Sequence, residues 1–369
     1  MYIEQGGQSA IRTLTGFLPA QFNILYGYVE TELVSHWVGG RGRKPKVKPK
    51  DSFLMLLTVL KYYNTWAKHA LDFGLSTLTF EKLIHKVITI VEPLLTEALI
   101  RPVSMASQRA KGRLFTNYPY ALYATDVKFQ PCFRPAGTHD ESKRFFSNKH
   151  KLYGLKIEVS VAYPGQAINI SDAFPGSKAD VSIFTKRIDV HRNLLQKSET
   201  ELILEDNGEG SHDHFQHWAT LVDKAYQGSS AIIRTIQPTK KPRNAELTTE
   251  QKDRNRRVSS DRVIVENYFG RMCGLWKIMY AQYKWNRSSF HQISRLCTAL
   301  TNFHCKLSPL RLDEDQNDDL RLWNEIESRY RSMAFQQQEN RVLRQRKYAR
   351  RQRVIQSVDR SVRRRYDIE

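Results

Sequence analysis

Apolar residues recur at two spacings along the chain, and the change in spacing divides it into segments. Between residues 51 and 100 they recur at helical steps. Gly74 is typical of a helix C-terminus, and Ser76 or Thr77 of the N-terminus that follows. We predict helices over about 53–63, 65–73 and 77–91, after a short helical segment within residues 1–38.

Residues 118–236 change to short apolar, β-branched runs separated by turns, which is the pattern of β-strands. Pro164-Gly165 is a strong turn signal, so the runs on either side of it should form a hairpin. The predicted order is strands at 120–127, 155–162 and 167–171, a helix at 178–195, strands at 219–223 and 231–236, a loop at 238–258, and helices at 259–280 and 288–306.

Three strands, a helix, two strands and a helix follow the order of the ribonuclease H-like fold. We therefore predict an α/β protein with a mixed sheet flanked by helices, preceded by an all-α helix-turn-helix-like region. The expected divisions are a helical segment (1–38), a basic linker (39–50), the helix-turn-helix-like domain (51–100), the ribonuclease H-like domain (118–306), and a polar linker with a basic tail (307–369).

The helix-turn-helix interpretation concerns residues 66–84, where Gly74 falls at the turn. Such a motif places its last helix in the major groove of DNA. A three-helix packing unit without DNA contacts remains an alternative, because few residues of the last helix suit base recognition. Those that could face outward are Thr77, Thr79, Lys82, His85 and Lys86.

Charge indicates the class of partner. The chain has 58 Lys and Arg against 38 Asp and Glu, a formal net charge of +20. Six basic residues and no acid lie in 41–50, and eleven basic residues against three acids lie in 341–369. Nucleic acid is the commonest partner of so basic a chain and a membrane surface is the next, although such clusters can also be solvated tails. Together with the features below, this charge makes double-stranded DNA the expected partner. We expect the C-terminal stretch to become helical when bound and to be disordered when free.

Cysteine spacing and hydropathy exclude several classes. The four cysteines include no Cys-x-x-Cys pair, so neither a zinc site nor a disulfide framework is indicated. No signal-peptide pattern and no apolar run of about 18 residues occurs, so no membrane partner is expected. We expect a nuclear protein, with the cytoplasm as the alternative.

Three acids stand within or beside apolar elements. Asp126 lies in the first predicted strand, Asp223 ends a later one, and Glu266 lies on a helix. A charged, unpaired carboxylate there costs several kcal/mol, and a divalent cation would compensate it. Each acid also has a simpler explanation. Asp126 could accept bonds from backbone amides, Asp223 could form a turn, and Glu266 could pair with Arg262 four residues earlier.

Five motifs carry a family resemblance: ATDV (124–127), SNKHKLYGLK (147–156), FPGSKADVSIF (174–184), VDKAYQG (222–228) and RVIVENYFG (262–270). With them, residues 119–305 resemble the catalytic domain of PIF/Harbinger-type transposases of the DDE superfamily. Including GRGRKPK (40–46) and the helical region, the resemblance covers about 37–306.

The resemblance implies a metal triad of Asp126, Asp223 and Glu266. Asp180 matches a fourth acid of the family near the metal site, and we include it among the candidate metal residues. It implies magnesium, with manganese as the alternative, and a separate Myb-like DNA-binding helper, which this chain does not contain. A homo-oligomer is a further expectation. Two departures are visible: Ala225 stands where relatives often have Gly, and a long polar loop separates Asp223 from Glu266.

Basic residues supply candidate DNA contacts. Lys149, Lys151 and Lys156 surround the second predicted strand and could clamp phosphates, or could form an exposed polar sheet face. Arg41, Arg43 and Lys44 resemble the core of an AT-hook, which inserts arginines into a narrow minor groove, or a plain basic linker.

Two functions follow from these features. The leading hypothesis is a metal-dependent DNA endonuclease or transposase that cuts by metal-activated water, with strand joining as an optional later step. The alternative is a transposase-derived DNA-binding protein that has lost cutting. The intact acids favour the first.

Overall fold

The structure is a computed structural model that describes residues 2–38, 47–243, 245–310 and 318–366. The basic linker residues Arg41, Arg43 and Lys44 lie outside the described residues. None of the helices in the described ranges is both long and apolar enough to cross a membrane.

The described residues up to 110 are mainly helical. Three of them begin after a residue whose side chain accepts a hydrogen bond from the first turn: Thr65, Ser76 and Ser104. The bounds are α1 Tyr2–Thr15, α2 Pro19–Gly27, α3 Glu30–Val38, α4 Pro49–Tyr62, α5 Trp66–Asp72, α6 Thr77–Leu99 and α7 Met105–Ala110.

A mixed sheet follows. Its strands are β1 Ala121–Pro131, β2 Phe146–Ser147, β3 Leu152–Ala162, β4 Gln166–Ile170, β5 Phe174–Pro175, β6 Ala219–Leu221 and β7 Thr235–Ile236. The order runs β2-β3-β1-β6-β7, and β4 and β5 also pair with β3. The pairs among β1, β3 and β4 are antiparallel, whereas β6 pairs in parallel with both β1 and β7.

Helices flank this sheet: α8 His139–Lys143, α9 Asp180–Lys186, α10 Ile188–Leu195, α11 Glu199–Leu202, α12 Thr249–Leu275, α13 Phe290–Leu307 and α14 Asp318–Tyr366. Short 3₁₀ turns occupy Lys224–Tyr226, Ser229–Ala231, Lys277–Met279 and Arg287–Ser289. The predicted fold class is confirmed: a mixed sheet flanked by helices, with an N-terminal helical region, consistent with a ribonuclease H-like fold. The hairpin about Pro164-Gly165 is β3–β4.

The N-terminal helices share one core with the sheet domain. α6 packs along α13, and buried residues of both belong to the same hydrophobic cluster. Asn302 of α13 ties three elements together. Its Nδ2 donates to the carbonyls of Leu99 and Ala167 at 2.9 and 2.7 Å, and its Oδ1 accepts from Ala167 N and the Tyr268 hydroxyl, both at 2.9 Å.

Two helices are longer than the sequence patterns predict. α6 continues past Val91 to Leu99 through Pro93, because its second half is buried against α13. α12 begins ten residues before the predicted start, inside the segment expected to be a loop. Thr248 and Gln251 form a capping box at its N-terminus.

The polar stretch and the basic tail after residue 317 form one long helix, α14. Its first turns pack against α12 and bury Trp323, Ile326 and Tyr330 on one face. Arg271 of α12 anchors its start, donating from Nε and Nη2 to the Asp319 carboxylate at 2.8–3.1 Å. These first turns of α14 therefore pack as part of the folded domain.

Candidate active site

The three acids of interest come from three adjoining elements. Asp126 lies in the middle of β1, and Asp223 lies two residues past the end of the neighbouring parallel strand β6. Glu266 lies on α12, which packs against β1. The strand pairing and the helix packing bring these residues together.

Arg262 stands among the three carboxylates. Its Nη2 lies 3.0 Å from Glu266 Oε1 and 3.7 Å from Asp223 Oδ1, and its Nη1 lies 3.6 Å from Asp126 Oδ2. The Arg262 side chain is 10% exposed, and the carboxylates are 22–31% exposed. One delocalised cation therefore neutralises part of three converging negative charges.

Burial shapes the acidity of these groups. It raises the pKa of Asp126 to about 6, against the opposing effects of Arg262 and the Val127 amide, which donates to Oδ1 at 2.7 Å. Burial also raises the pKa of Glu266, again opposed by Arg262 and reinforced by the negative charge of Glu327. Perturbed carboxylates in a cleft are a feature of functional sites.

The carboxylates open into a cavity of about 230 Å³. Its wall includes Trp323, Asn324, Glu327 and Tyr330, one face of the first turns of α14. The sequence patterns do not indicate any of these four residues. Sequence spacing alone identifies Arg262 as a partner of Glu266 four residues away, but its contacts with the other two acids depend on the sheet order.

Asp180 lies beside this cavity rather than among the residues that line it. It is the first residue of α9, and both carboxylate oxygens face lysines: Lys156 Nζ at 2.8 Å and Lys149 Nζ at 3.6 Å. Lys156 is buried and also donates to the Lys178 carbonyl at 2.6 Å. Its ammonium is thus engaged inside the protein.

Lys149 and Lys151 differ from Lys156 in exposure. The side chain of Lys149 is 65% exposed at the cavity. Burial opposes its charge, but Asp180 and Asp126 raise its pKa overall, so the ammonium stays protonated. Between the two lysines, the ring of His150 stacks on Phe129 with centroids 4.2 Å apart. Lys151 is exposed and follows this ring in the chain.

The outward-facing residues of α6 are only partly available. Thr77, Thr79 and Lys82 are exposed. His85 packs against the rings of Trp66 and Trp285. Lys86 lies over the Trp37 ring and donates to the His36 carbonyl at 3.0 Å.

The donor chemistry of the site fits a hard divalent cation. Three carboxylates supply oxygen ligands, and the guanidinium of Arg262 already marks a position where positive charge is stabilised. As these side chains stand, no group of three or more His, Cys, Asp or Glu residues within 2–38, 47–243, 245–310 and 318–366 is arranged to hold a metal ion. A bound ion would compete with Arg262 for the same oxygens.

This geometry can be set beside known proteins. Residues 125–302 match the family described as DDE superfamily endonuclease. The matched residues include Asp126, Asp223 and Glu266.

A relative gives a second comparison. The chain is 26% identical over 267 residues to a probable transposase for insertion sequence element IS702 from Microchaete diplosiphon. The alignment covers 72% of this chain and 84% of that protein. No solved structure matches the chain significantly.

Proposed function

We propose that this protein is a divalent-metal-dependent DNA endonuclease and transposase of the PIF/Harbinger type, with Asp126, Asp223 and Glu266 as metal ligands. The observation that carries the proposal is the contact of all three carboxylates with one cation, the guanidinium of Arg262. The matched DDE domain and the transposase relative support it.

The chain's residues have distinct roles in this proposal. Asp126, Asp223 and Glu266 would hold a divalent ion, magnesium or manganese, which would activate the attacking water and stabilise the leaving oxygen. Before the ion binds, Arg262 partly neutralises the three carboxylates. The ammonium of Lys149 is exposed at the cavity, where it can donate a hydrogen bond to a phosphate oxygen. Asp180 holds Lys149 and Lys156 in place, and acts as a fourth acid beside the ligands.

The DNA contacts extend beyond the cavity. We assign Lys149 and Lys151 to phosphate contacts because both are exposed, and we keep Arg41, Arg43 and Lys44 as contacts of the basic linker. Lys156 contributes to DNA binding through Asp180, because its ammonium contacts Asp180 and the Lys178 carbonyl inside the protein. The proposed setting is the nucleus, with a Myb-like helper protein and a homo-oligomer on double-stranded DNA.

A second candidate is a transposase-derived DNA-binding protein without cutting activity. The observation that favours it is again Arg262, because a guanidinium that satisfies all three acids leaves them stable without metal. The two candidates differ in one measurable respect: only the nuclease should gain stability from magnesium through these carboxylates.

The test compares Asp126→Asn with the native protein and with Asp140→Asn, which changes a 97% exposed acid outside the cavity. Magnesium-dependent nicking of linear DNA should disappear only in Asp126→Asn, while DNA affinity stays unchanged in all three. Millimolar magnesium should raise the melting temperature of the native and Asp140→Asn proteins and leave Asp126→Asn nearly unchanged.

Equal nicking by Asp126→Asn and the native protein would overturn the metal assignment. Firm DNA binding with neither nicking nor a magnesium-induced melting shift in the native protein would establish the DNA-binding candidate instead.

A further inference from the structure

We propose that a groove between α14 and the β2–β3 edge of the sheet binds an unpaired DNA strand leading away from the carboxylate cavity. The inference rests on the proposed function, because it assigns a path to the strand that the cavity would cut. The groove has a volume of about 780 Å³. Its polar and aromatic lining includes Arg134, Lys151, Arg341, Phe146, Tyr153 and Gln338. We call it the α14 groove.

The α14 groove continues the cavity along both of its walls. On the sheet side, Lys149 and His150 line the cavity, and the next residue, Lys151, lines the groove. On the helix side, Tyr330 lines the cavity, and Ala334, one turn later, lines the groove. The groove therefore begins where the cavity ends, and the rings of His150 and Tyr330, with centroids 6.5 Å apart, lie at the boundary that the strand would follow.

The charge of the groove suits a phosphodiester backbone. Arg134, Lys151 and Arg341 are exposed cations contributed by the β1–α8 loop, the β2–β3 turn and α14. Among the residues that the structure describes, none that lines the groove is Asp or Glu. The neighbouring cavity, by contrast, is rich in carboxylates. The cations of the groove therefore attract phosphates, whereas the carboxylates of the neighbouring cavity repel them.

Aromatic rings in the lining favour an unpaired strand over a duplex. Phe146 and Tyr153 are register partners on β2 and β3, and their half-buried rings meet edge to face with centroids 5.2 Å apart. Bases stack on such rings only when they are not already stacked in a helix. The amides of Gln337, Gln338 and Gln345 line the opposite wall and can bond base edges.

The length of the groove sets the number of nucleotides. Its lining on α14 extends from Ala334 to Gln345, which is about 17 Å along the helix at 1.5 Å per residue. One strand of B-form DNA rises about 3.4 Å per nucleotide, so an unpaired and more extended strand places at most about five nucleotides in that length.

The test uses the full-length protein in metal-free buffer, so that no cutting occurs. A fluorescein-labelled 12-nucleotide oligothymidylate and a blunt 12-base-pair duplex are titrated by anisotropy. Lys151→Gln/Arg341→Gln removes two groove cations. The matched control is Arg346→Gln/Lys347→Gln, which removes two exposed cations of α14 that are not among the residues lining the groove.

The groove variant should bind the unpaired strand about tenfold more weakly. The slope of log affinity against log salt should flatten by about 0.7 for each phosphate that the protein no longer neutralises. The control should bind the unpaired strand no more than twofold more weakly than the native protein. The two variants should bind the duplex with similar affinity. Tyr153→Leu should weaken binding of the unpaired strand alone.

Equal weakening in the groove and control variants would overturn the proposal. Weakening on the duplex as large as on the unpaired strand would overturn the unpaired strand as the occupant. Failure of the native protein to nick DNA, with the groove effect intact, would refute the proposed cutting activity but leave the groove as a strand-binding site.

Discussion

The backbone carbonyl of Asp319 lies in the position that a Cβ atom on Gly270 would need. The absence of a side chain on α12 therefore sets how closely α14 can approach. Four residues later, Gly274 faces Leu322, whose Cδ2 would lie 3.0 Å from a Cβ there. The two glycines form the surface on which α14 rests, and α14 in turn supplies a wall of the carboxylate cavity.

Gly270→Ala should separate α14 from α12. The added methyl group meets rigid backbone, so the expected decrease is about 1–3 kcal/mol in the free energy of unfolding. Limited proteolysis should also cut the chain near the start of α14 more quickly. Gly27→Ala is the matched control, because nothing lies within 4 Å of a Cβ at that position. Similar unfolding free energies for the two variants would contradict the close approach.

Replacing Arg262 should destabilise the metal-free protein and strengthen its response to magnesium. Arg262→Gln leaves three converging carboxylates without their cation, which we expect to cost about 1–3 kcal/mol. Magnesium should then raise the melting temperature more than in the native protein, since no guanidinium competes for the oxygens. Arg262→Lys should recover part of the stability. A magnesium-induced shift no larger than that of the native protein would exclude competition at this site.

Asn302→Leu should lower stability through unpaired backbone groups. The Asn302 amide makes four hydrogen bonds, three of them to the backbone of Leu99 and Ala167. A leucine of similar size leaves these buried partners unpaired, at a cost of about 2–4 kcal/mol measured by urea unfolding. Thr96→Val is the control, because its hydroxyl donates to Glu92 on the same helix. If the free energy of unfolding falls no further in Asn302→Leu than in the control, the hydrogen bonds of Asn302 do not stabilise the fold as we predict.

His304 should make stability dependent on pH. Burial, with Arg271 next to the ring, lowers the pKa of His304 to about 4. The unfolded chain then binds a proton between about pH 6.5 and pH 4 that the folded chain does not. Stability from this group is therefore complete above about pH 6.5 and decreases as the pH falls towards about 4.

His304→Gln should flatten the fall in unfolding free energy between about pH 7 and pH 4.5, measured by urea titration. His139→Gln should leave it unchanged, because the side chain of His139 is 78% exposed. Parallel pH profiles for His304→Gln and the native protein would contradict the lowered pKa.

The longer strands and their succession along the chain could be predicted because alternation and turn signals are local, whereas the two-residue strands β2 and β5 carry no such signal. The β3–β4 hairpin about Pro164-Gly165 and the parallel strand β6 before Asp223 follow from such signals. The start of α12 is also encoded locally, in the capping box of Thr248 and Gln251, but the polar residues around it favour a loop. The second half of α6 depends on burial against α13, which outweighs Pro93.

The composition of the cavity could not be predicted in full. Asp126, Asp223 and Glu266 carry a signal because acids are unusual beside apolar runs. Glu327 and Trp323 carry none, since they are ordinary residues of a polar helix until Gly270 allows that helix to dock. Their role depends on a contact between segments about fifty residues apart.

The docking of α14 also sets an order of events during synthesis. Every other residue that lines the cavity precedes α14 in the chain, and domains generally fold from the N-terminus as they emerge from the ribosome. A nascent chain that has emerged only as far as residue 310 therefore exposes the carboxylates on an open face. The cavity is complete only after Trp323 and Tyr330 have left the ribosome. The site therefore forms late in translation.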